Sequence, residues 1–327
     1  MKKILIILMC CLVFSGCGKT NEKSIITDIE KKIASYDNYC LKGNLKVLNN
    51  EDVFNYDVEV FYKKGNYYKV SLVNKENLHE QIILKNTDGV YIVTPTINKS
   101  FKFQSEWPNN GSQTYILETL LYDIKNDSER EYESTDNGYV LKTKVNYPNN
   151  SNLVSQIITF DSNYDLKSVE VINKSGIAQL VFTVSQFDSK TEVNTDIFAL
   201  SNQIQDEPVE QTSKELKNVI YPMYLPVGTS FNGEETIEND VTERVILSYS
   251  GDKSFIMVQE NSTSKNEMEV TSVSGDLVTY GNIVGVMTDT SLNWNDNGVD
   301  YYLIGSNLTN EELLQIASST ASVAIVK

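Results

Sequence analysis

The sequence predicts an α+β protein, mostly β, in which an antiparallel sheet with packed helices is followed by a small α+β domain. Three observations carry this. Between Tyr39 and Gln104, and again from Tyr139 to Gln186, apolar and polar residues alternate in runs of strand length bounded by Gly, Asn and Asp. Short stretches at Glu22–Tyr36, Ser112–Lys125 and after Thr309 place apolar residues at helical spacing. Ser201 to Ser213 has neither periodicity, and its Gln, Asn, Asp, Glu and single proline mark a linker. The expected organisation is residues 1–16 as a signal peptide, 17–200 as the sheet domain, 201–218 as the linker and 219–327 as the second domain.

The chain opens as an export signal. Lys2 and Lys3 precede an apolar run from Ile4 to Phe14, and the small pair Ser15-Gly16 precedes Cys17. Leu12-Val-Phe-Ser-Gly-Cys17 is the pattern cut and lipidated in bacterial lipoproteins, so the mature chain is expected to begin at a lipidated Cys17. A membrane-spanning helix needs about 20 apolar residues. This run is shorter and is followed at once by Lys19, Asn21, Glu22 and Lys23. Attachment is therefore expected through acyl chains on Cys17, placing the protein on the outer face of the cytoplasmic membrane.

In Glu22–Tyr36, the spacing of Ile25, Ile26, Ile29 and Ile33 makes one helical face, which Asp37-Asn38 closes with turn chemistry. Strands follow at Leu41–Leu48, Val53–Tyr62, Tyr67–Val73, Gln81–Lys85, Val90–Val93 and Ser100–Phe103. Lys64-Gly65-Asn66 and Thr87-Asp88-Gly89 are hairpin signals, because glycine accepts the positive φ of tight turns. Ser112 is placed to cap a helix through Lys125 with a stripe of Ile116, Leu117, Leu120, Leu121 and Ile124. Strands resume at Tyr139–Tyr147, Leu153–Phe160, Leu166–Ile172 and Ala178–Gln186.

After the linker, Tyr221 to Gly228 is an apolar, proline-containing lead-in. Val241–Tyr249 and Ser254–Gln259 flank the hairpin turn Ser250–Lys253. Further strands fit Glu267–Val273, Leu277–Thr279, Ile283–Thr288, Leu292–Asn295 and Val299–Ile304. Thr309-Asn310-Glu311-Glu312 is a capping-box pattern, opening a helix with Leu313, Leu314, Ile316 and Ala317 on its apolar side.

The formal net charge is −16, with one histidine and with arginine only at Arg130 and Arg244. Phosphate backbones and anionic lipid headgroups repel such a surface, so nucleic acid is disfavoured as a partner and the acyl anchor must supply membrane attachment. Once Cys10 and Cys11 leave with the signal and Cys17 carries lipid, Cys40 remains alone, and no intramolecular disulfide can form. Cys40 reads as a small buried hydrophobe. His79, in Asn77-Leu78-His79-Glu80, reads as an exposed turn residue. With these two alone, nitrogen or sulfur zinc sites and Cys-His or Ser-His catalysis lack partners. Asp123, Asp127, Glu129, Glu131 and Glu133 fall in a polar connection that reads as a solvated loop. Gly16 to Thr20 resembles the end of a phosphate-binding loop but is the processing site. No catalytic residue, metal ligand or cofactor is assigned.

The order of elements in residues 22–200, together with Asp88-Gly-Val-Tyr-Ile-Val-Thr-Pro95 followed by Lys99-Ser-Phe101, resembles the LolA-like superfamily, which includes the RseB type of envelope regulator. The C-terminal segment resembles a small domain that follows LolA-like domains in sporulating low-GC Gram-positive bacteria. Tyr221-Pro222 to Gly228, Leu292-Asn293-Trp294, Val299–Ile304 and Asn307–Leu313 carry that likeness. The first resemblance implies a curved, unclosed antiparallel half-barrel with helices in its concavity. It also implies a binding role: regulation or assembly of an envelope or spore-cortex protein, as in germination lipoproteins that bind a cortex amidase, or carriage of an acyl chain. The arginine with which LolA holds its helices shut has no counterpart in the early strands here, which departs from LolA-type gating. Tyr56, Phe61, Tyr67, Tyr91, Phe101 and Trp107, with Leu117 and Leu121, are the candidates to line an apolar groove. Tyr62, Tyr68 and Phe103 belong to the same aromatic pattern, which also fits a plain core.

Overall fold

The computed structural model describes residues 21–49, 52–104, 106–204, 216–238, 242–263, 266–280 and 283–320. Cys17, the signal segment and most of the expected linker lie outside the described residues. Helix α1 (Glu22–Ala34) starts where the Asn21 side chain accepts the Lys23 N–H, and it buries Ile25, Ile26, Ile29 and Ile33 as the spacing requires. Six antiparallel strands follow in a meander: β1 (Asn38–Asn49), β2 (Asp52–Lys63), β3 (Tyr67–Asn74), β4 (Glu80–Asn86), β5 (Gly89–Thr94) and β6 (Lys99–Phe103). Each expected run falls inside one of them.

Helix α2 (Leu117–Asn126) begins later than expected. Ile116 occupies its N-cap position without a side-chain cap. Ser112 instead exchanges hydrogen bonds with Asn146, its N–H donating to the Asn146 carbonyl and its Oγ accepting the Asn146 N–H, both at 2.8 Å. The Oγ that would cap a helix is taken by the Asn146 N–H. A second meander follows: β7 (Glu131–Thr135), β8 (Gly138–Lys144), β9 (Leu153–Asp161), β10 (Leu166–Asn173) and β11 (Ala178–Asp188). Residues 131–135 form an exposed edge strand where a loop was expected, because Glu131 and Glu133 alternate with Tyr132, whose ring stacks on Tyr139. The pairing of β1 with β11 joins the two meanders. That contact requires glycine at position 43, where a Cβ would lie 2.5 Å from the Phe182 ring.

The C-terminal part forms a 7-stranded sheet in the order β12-β13-β14-β19-β18-β17-β16. Its strands are β12 (Thr229–Glu238), β13 (Glu243–Gly251), β14 (Phe255–Asn261), β16 (Asp276–Tyr280), β17 (Ile283–Met287), β18 (Ser291–Asp296) and β19 (Val299–Ile304). Helix α3 (Asn310–Ser318) packs Leu313, Leu314, Ile316 and Ala317 onto one face, opened by the capping box: Thr309 Oγ1 accepts the Glu312 N–H at 3.2 Å and Glu312 Oε2 accepts the Thr309 N–H at 2.8 Å. The expectations omit β12. Its bulge at Phe231–Gly233 and its exposure on both faces remove the alternation that marks a strand.

The two parts share structure. Strand β15 (Glu269–Val273) leaves the C-terminal part and pairs parallel with β6, giving a 12-stranded sheet that runs β15-β6-β5-β4-β3-β2-β1-β11-β10-β9-β8-β7. Its ends do not meet, so the sheet is open and curved, with α1 and α2 on the inner face. Leu277, Val284 and Val286 enter the same hydrophobic core as those helices. Lys99 of β6 pairs with Asp300 of β19 at 2.8 Å, both largely buried, and Gln81 Nε2 donates to the Val284 carbonyl at 3.4 Å. Where the linker was expected to start, residues Leu200–Gln203 instead form a 3-10 turn, with Gln203 buried and donating to the Ile197 and Ala199 carbonyls.

Candidate functional site

A curved sheet with helices inside offers two faces, and period-two alternation divides the aromatic residues between them. Tyr56, Trp107 and Leu117 are buried on the inner face, with Phe101 and Leu121 partly buried against the same core. Phe61, Tyr67 and Tyr91 do not join them. They lie on the other face with Ile82, Leu84 and Val93, beneath Val193 and Phe198 of the segment after β11. The Tyr67 and Phe198 rings are 5.5 Å apart, and Lys63 and Asn86 donate to the Val193 and Phe198 carbonyls. Phe61 adjoins Tyr62, and Tyr91 lies between Val90 and Ile92, all inner-face residues. Single-residue steps along a strand therefore put these three outside.

The inner concavity is nearly full. Its floor is Leu45, Val47, Tyr56 and Leu72, its roof is Tyr115 and Tyr147, and the β16–β17 hairpin closes its mouth with Thr279, Tyr280, Ile283 and Val284. About 30 Å³ remains, room for one water. Pockets that hold small molecules are roughly 300–1,000 Å³. A polar cleft lies beside it, about 140 Å³ among the 110–113 and 146–150 loops, β16 and Leu314, and about 230 Å³ more toward Asn152, Glu311 and Gln315. Amide and hydroxyl side chains dominate its walls.

Some of the buried polar groups inside are paired with one another, while Tyr115 OH and Gln156 Oε1 have no hydrogen-bond partner among the described residues. Tyr39 donates to Glu118 at 3.0 Å, and burial pushes the pKa of both upward. Gln156 Nε2 donates to Asp123 at 2.8 Å, and burial raises the Asp123 carboxyl to about 6 against an ordinary 3.8. Because the folded state holds this proton more tightly than the unfolded chain, the contribution of Asp123 to stability is fully present below pH 3.8 and is lost as pH rises through 6. The variant Asp123→Asn, which keeps an acceptor for Gln156, is expected to stabilise the fold by about 1 kcal/mol at pH 8. Urea titrations at pH 8 and pH 4 check this, since the gain should vanish at the lower pH.

Cys40 is buried beside Glu59, and burial pushes its thiol up to about 11. Such a thiol is protonated and unreactive at neutral pH. His79 is half-buried where an exposed turn was expected, and burial lowers it to about 4, leaving it neutral. The Asn74 N–H donates to the His79 carbonyl at 3.0 Å, closing the β3–β4 turn. Among the described residues no group of His, Cys, Asp and Glu is placed to hold a metal ion. No helix among them is long and apolar enough to cross a membrane.

Three solved structures are similar to this chain. A chain of the Pseudomonas aeruginosa MucA/MucB complex is 12% identical with TM-score 0.33, covering 89% of this chain and 96% of that one. A LolA superfamily protein from Nitrosomonas europaea is 13% identical with TM-score 0.32, covering 54% and 96%. A chain of the Clostridioides difficile CwlD amidase complex with the GerS lipoprotein is 21% identical with TM-score 0.29, covering 53% and 96%. Residues 219–319 match a family described as a domain of unknown function, DUF4367. The chain is also 32% identical over 317 residues to the sporulation protein YdcC of Bacillus subtilis, spanning 95% of this chain and 94% of that protein. With likeness of that depth running through both sheets, the chain belongs to the YdcC family of sporulation proteins.

Proposed function

We propose that this protein is a lipid-anchored, extracytoplasmic, non-enzymatic accessory protein that holds another protein of the envelope or spore cortex. The filled concavity carries the reading. An acyl carrier needs an open apolar chamber, and the room here is about 30 Å³, closed by the protein's own β16–β17 hairpin. The YdcC relative is a sporulation protein, which supports a sporulation setting, and the MucA/MucB and CwlD–GerS structures are complexes between proteins.

The tether rests on the Leu12–Cys17 pattern. Cys17→Ala is expected to move most of the protein from the membrane to the soluble fraction, because the acidic surface adds no attraction of its own. Fractionation followed by immunoblotting measures this. Purification of the native protein from membranes, with mass spectrometry of what accompanies it, tests the binding role. A stoichiometric protein is the expected companion. Acyl lipid retained by a Cys17→Ala form, or turnover of an envelope polymer by the ectodomain, would overturn the proposal.

A further inference from the structure

The second sheet ends in an unusual edge. Strand β12 is ten residues long and, among the described residues, hydrogen-bonds on one side only, to β13. Its sequence, Thr-Ser-Phe-Asn-Gly-Glu-Glu-Thr-Ile-Glu, contains carboxylates and no cation. Proteins normally blunt such an edge with lysine, proline or shortness, since unpaired backbone groups recruit foreign strands. Here it is long and is bulged only at Phe231–Gly233.

Among the described residues, the sheet face that continues from this edge is also only partly covered. Pair registers place Glu235, Ile246, Val258 and Tyr302 in one cross-strand row, and Ser248, Ile256 and Ile304 in the next. These side chains point away from α3, whose face buries Val245, Leu247, Met257, Tyr301 and Leu303. Ile237, Ile256 and Ile304 are 46%, 44% and 50% exposed. The N-terminal unit covers this face only at its far end, where Lys99 meets Asp300 and Val286 enters the shared core.

We infer that β12 receives an extended segment of the partner protein as an added strand, one in which apolar residues alternate with Lys or Arg. This rests on the partner-holding reading and names its surface. Residues along β12 alternate between faces, Glu235 and Ile237 on the open side and Glu234 and Thr236 on the α3 side. A strand paired here would extend the Ile237–Ile246 apolar surface, on which Glu235 and Arg244 also stand, with one set of its side chains and face Glu234 with the other. Charge decides against the other occupants. A second copy would bring carboxylates against carboxylates along the seam, and an anionic membrane surface would be repelled.

Photo-crosslinking in sporulating cells, with p-benzoylphenylalanine replacing Ile237 in the full-length chain, tests the inference. Ile304, about four strand spacings (~19 Å) from the added strand, and Ile177 and Tyr122 on the N-terminal unit are the exposed control positions. The expected result is an adduct from 237, mapped by tandem mass spectrometry to a partner segment with basic residues at alternate positions. The charge reversal Glu235→Lys, which leaves the Tyr221 hydroxyl bonded to Glu234, should cut that yield by about tenfold without altering the melting temperature. Adducts from the control positions alone would overturn the inference while leaving the partner-holding role standing. An adduct to a second copy, or a yield indifferent to charge reversal, would also overturn it. Absence of any adduct at all positions would sink both.

Discussion

A fragment ending at Ile204 is expected to lose its cooperative unfolding transition and to expose apolar surface, although it retains most of the 12-stranded sheet. The cause is the material that the C-terminal part contributes to the first core. Leu277, Val284 and Val286 are buried within it and Val273 packs against it. Burial of a Val or Leu side chain stabilises by about 1.5–3 kcal/mol. Losing these together approaches the whole stability of an ordinary domain, about 5–15 kcal/mol. Removal of β15 also bares the β6 backbone edge, which then becomes a template for aggregation. Dye binding and urea unfolding followed at Trp107 measure the effect. A fragment that unfolds cooperatively at the midpoint of the full chain would show that the shared core contributes little. The consequence for function is that the two parts are one platform. A partner gripped at the second sheet, as proposed, would be held rigidly relative to the first.

The first meander was legible in the sequence because each strand alternates apolar and polar residues and the turns carry Gly and Asn. The capping box at Thr309 was legible for a similar reason: hydroxyl and carboxylate stand three residues apart, and both bonds form. Strand β15 was legible as a strand but not as a member of the first sheet. Glu-Val-Thr-Ser-Val reads alike in either sheet, and its parallel register with Lys99–Phe103 joins residues 170 positions apart, from Glu269↔Lys99 onward, with no local signal. The same distance hides the plug. Ile283 and Val284 look like ordinary strand residues, and only the tertiary fold sets them across the mouth of the concavity. Phe61 and Tyr62 read as one aromatic pattern in the sequence, although neighbours along a strand face opposite ways. Alternation did not tell which way was inward, because that depends on the sense in which the sheet bends.

Lys99→Met is expected to cost about 3–5 kcal/mol, the largest effect of any single substitution at the seam between the two parts. Lys99 Nζ lies 2.8 Å from Asp300 Oδ2, with side-chain exposures of 16% and 8%. The other Asp300 oxygen accepts from Asn295 Nδ2 at 2.9 Å. Methionine matches the apolar stem of lysine but leaves the carboxylate buried with only that amide donor, and neither bulk water nor another cation replaces the lost partner. The reverse change, Asp300→Leu, should cost less, because the longer lysine chain can swing its ammonium toward solvent. The double variant Lys99→Met/Asp300→Leu should recover much of the loss, since two apolar groups leave no uncompensated charge. The chain's two tryptophans report on the two parts separately: Trp107 sits in the first core and Trp294 is stacked on Tyr301 in the second, with ring centroids 4.8 Å apart. In urea both fluorescence transitions should coincide for the native chain, and in Lys99→Met the two should separate as the seam opens first. Coincident transitions and an unchanged midpoint in that variant would show that the ion pair does not couple the parts, and the platform would then have to be held by the shared core and β15 alone.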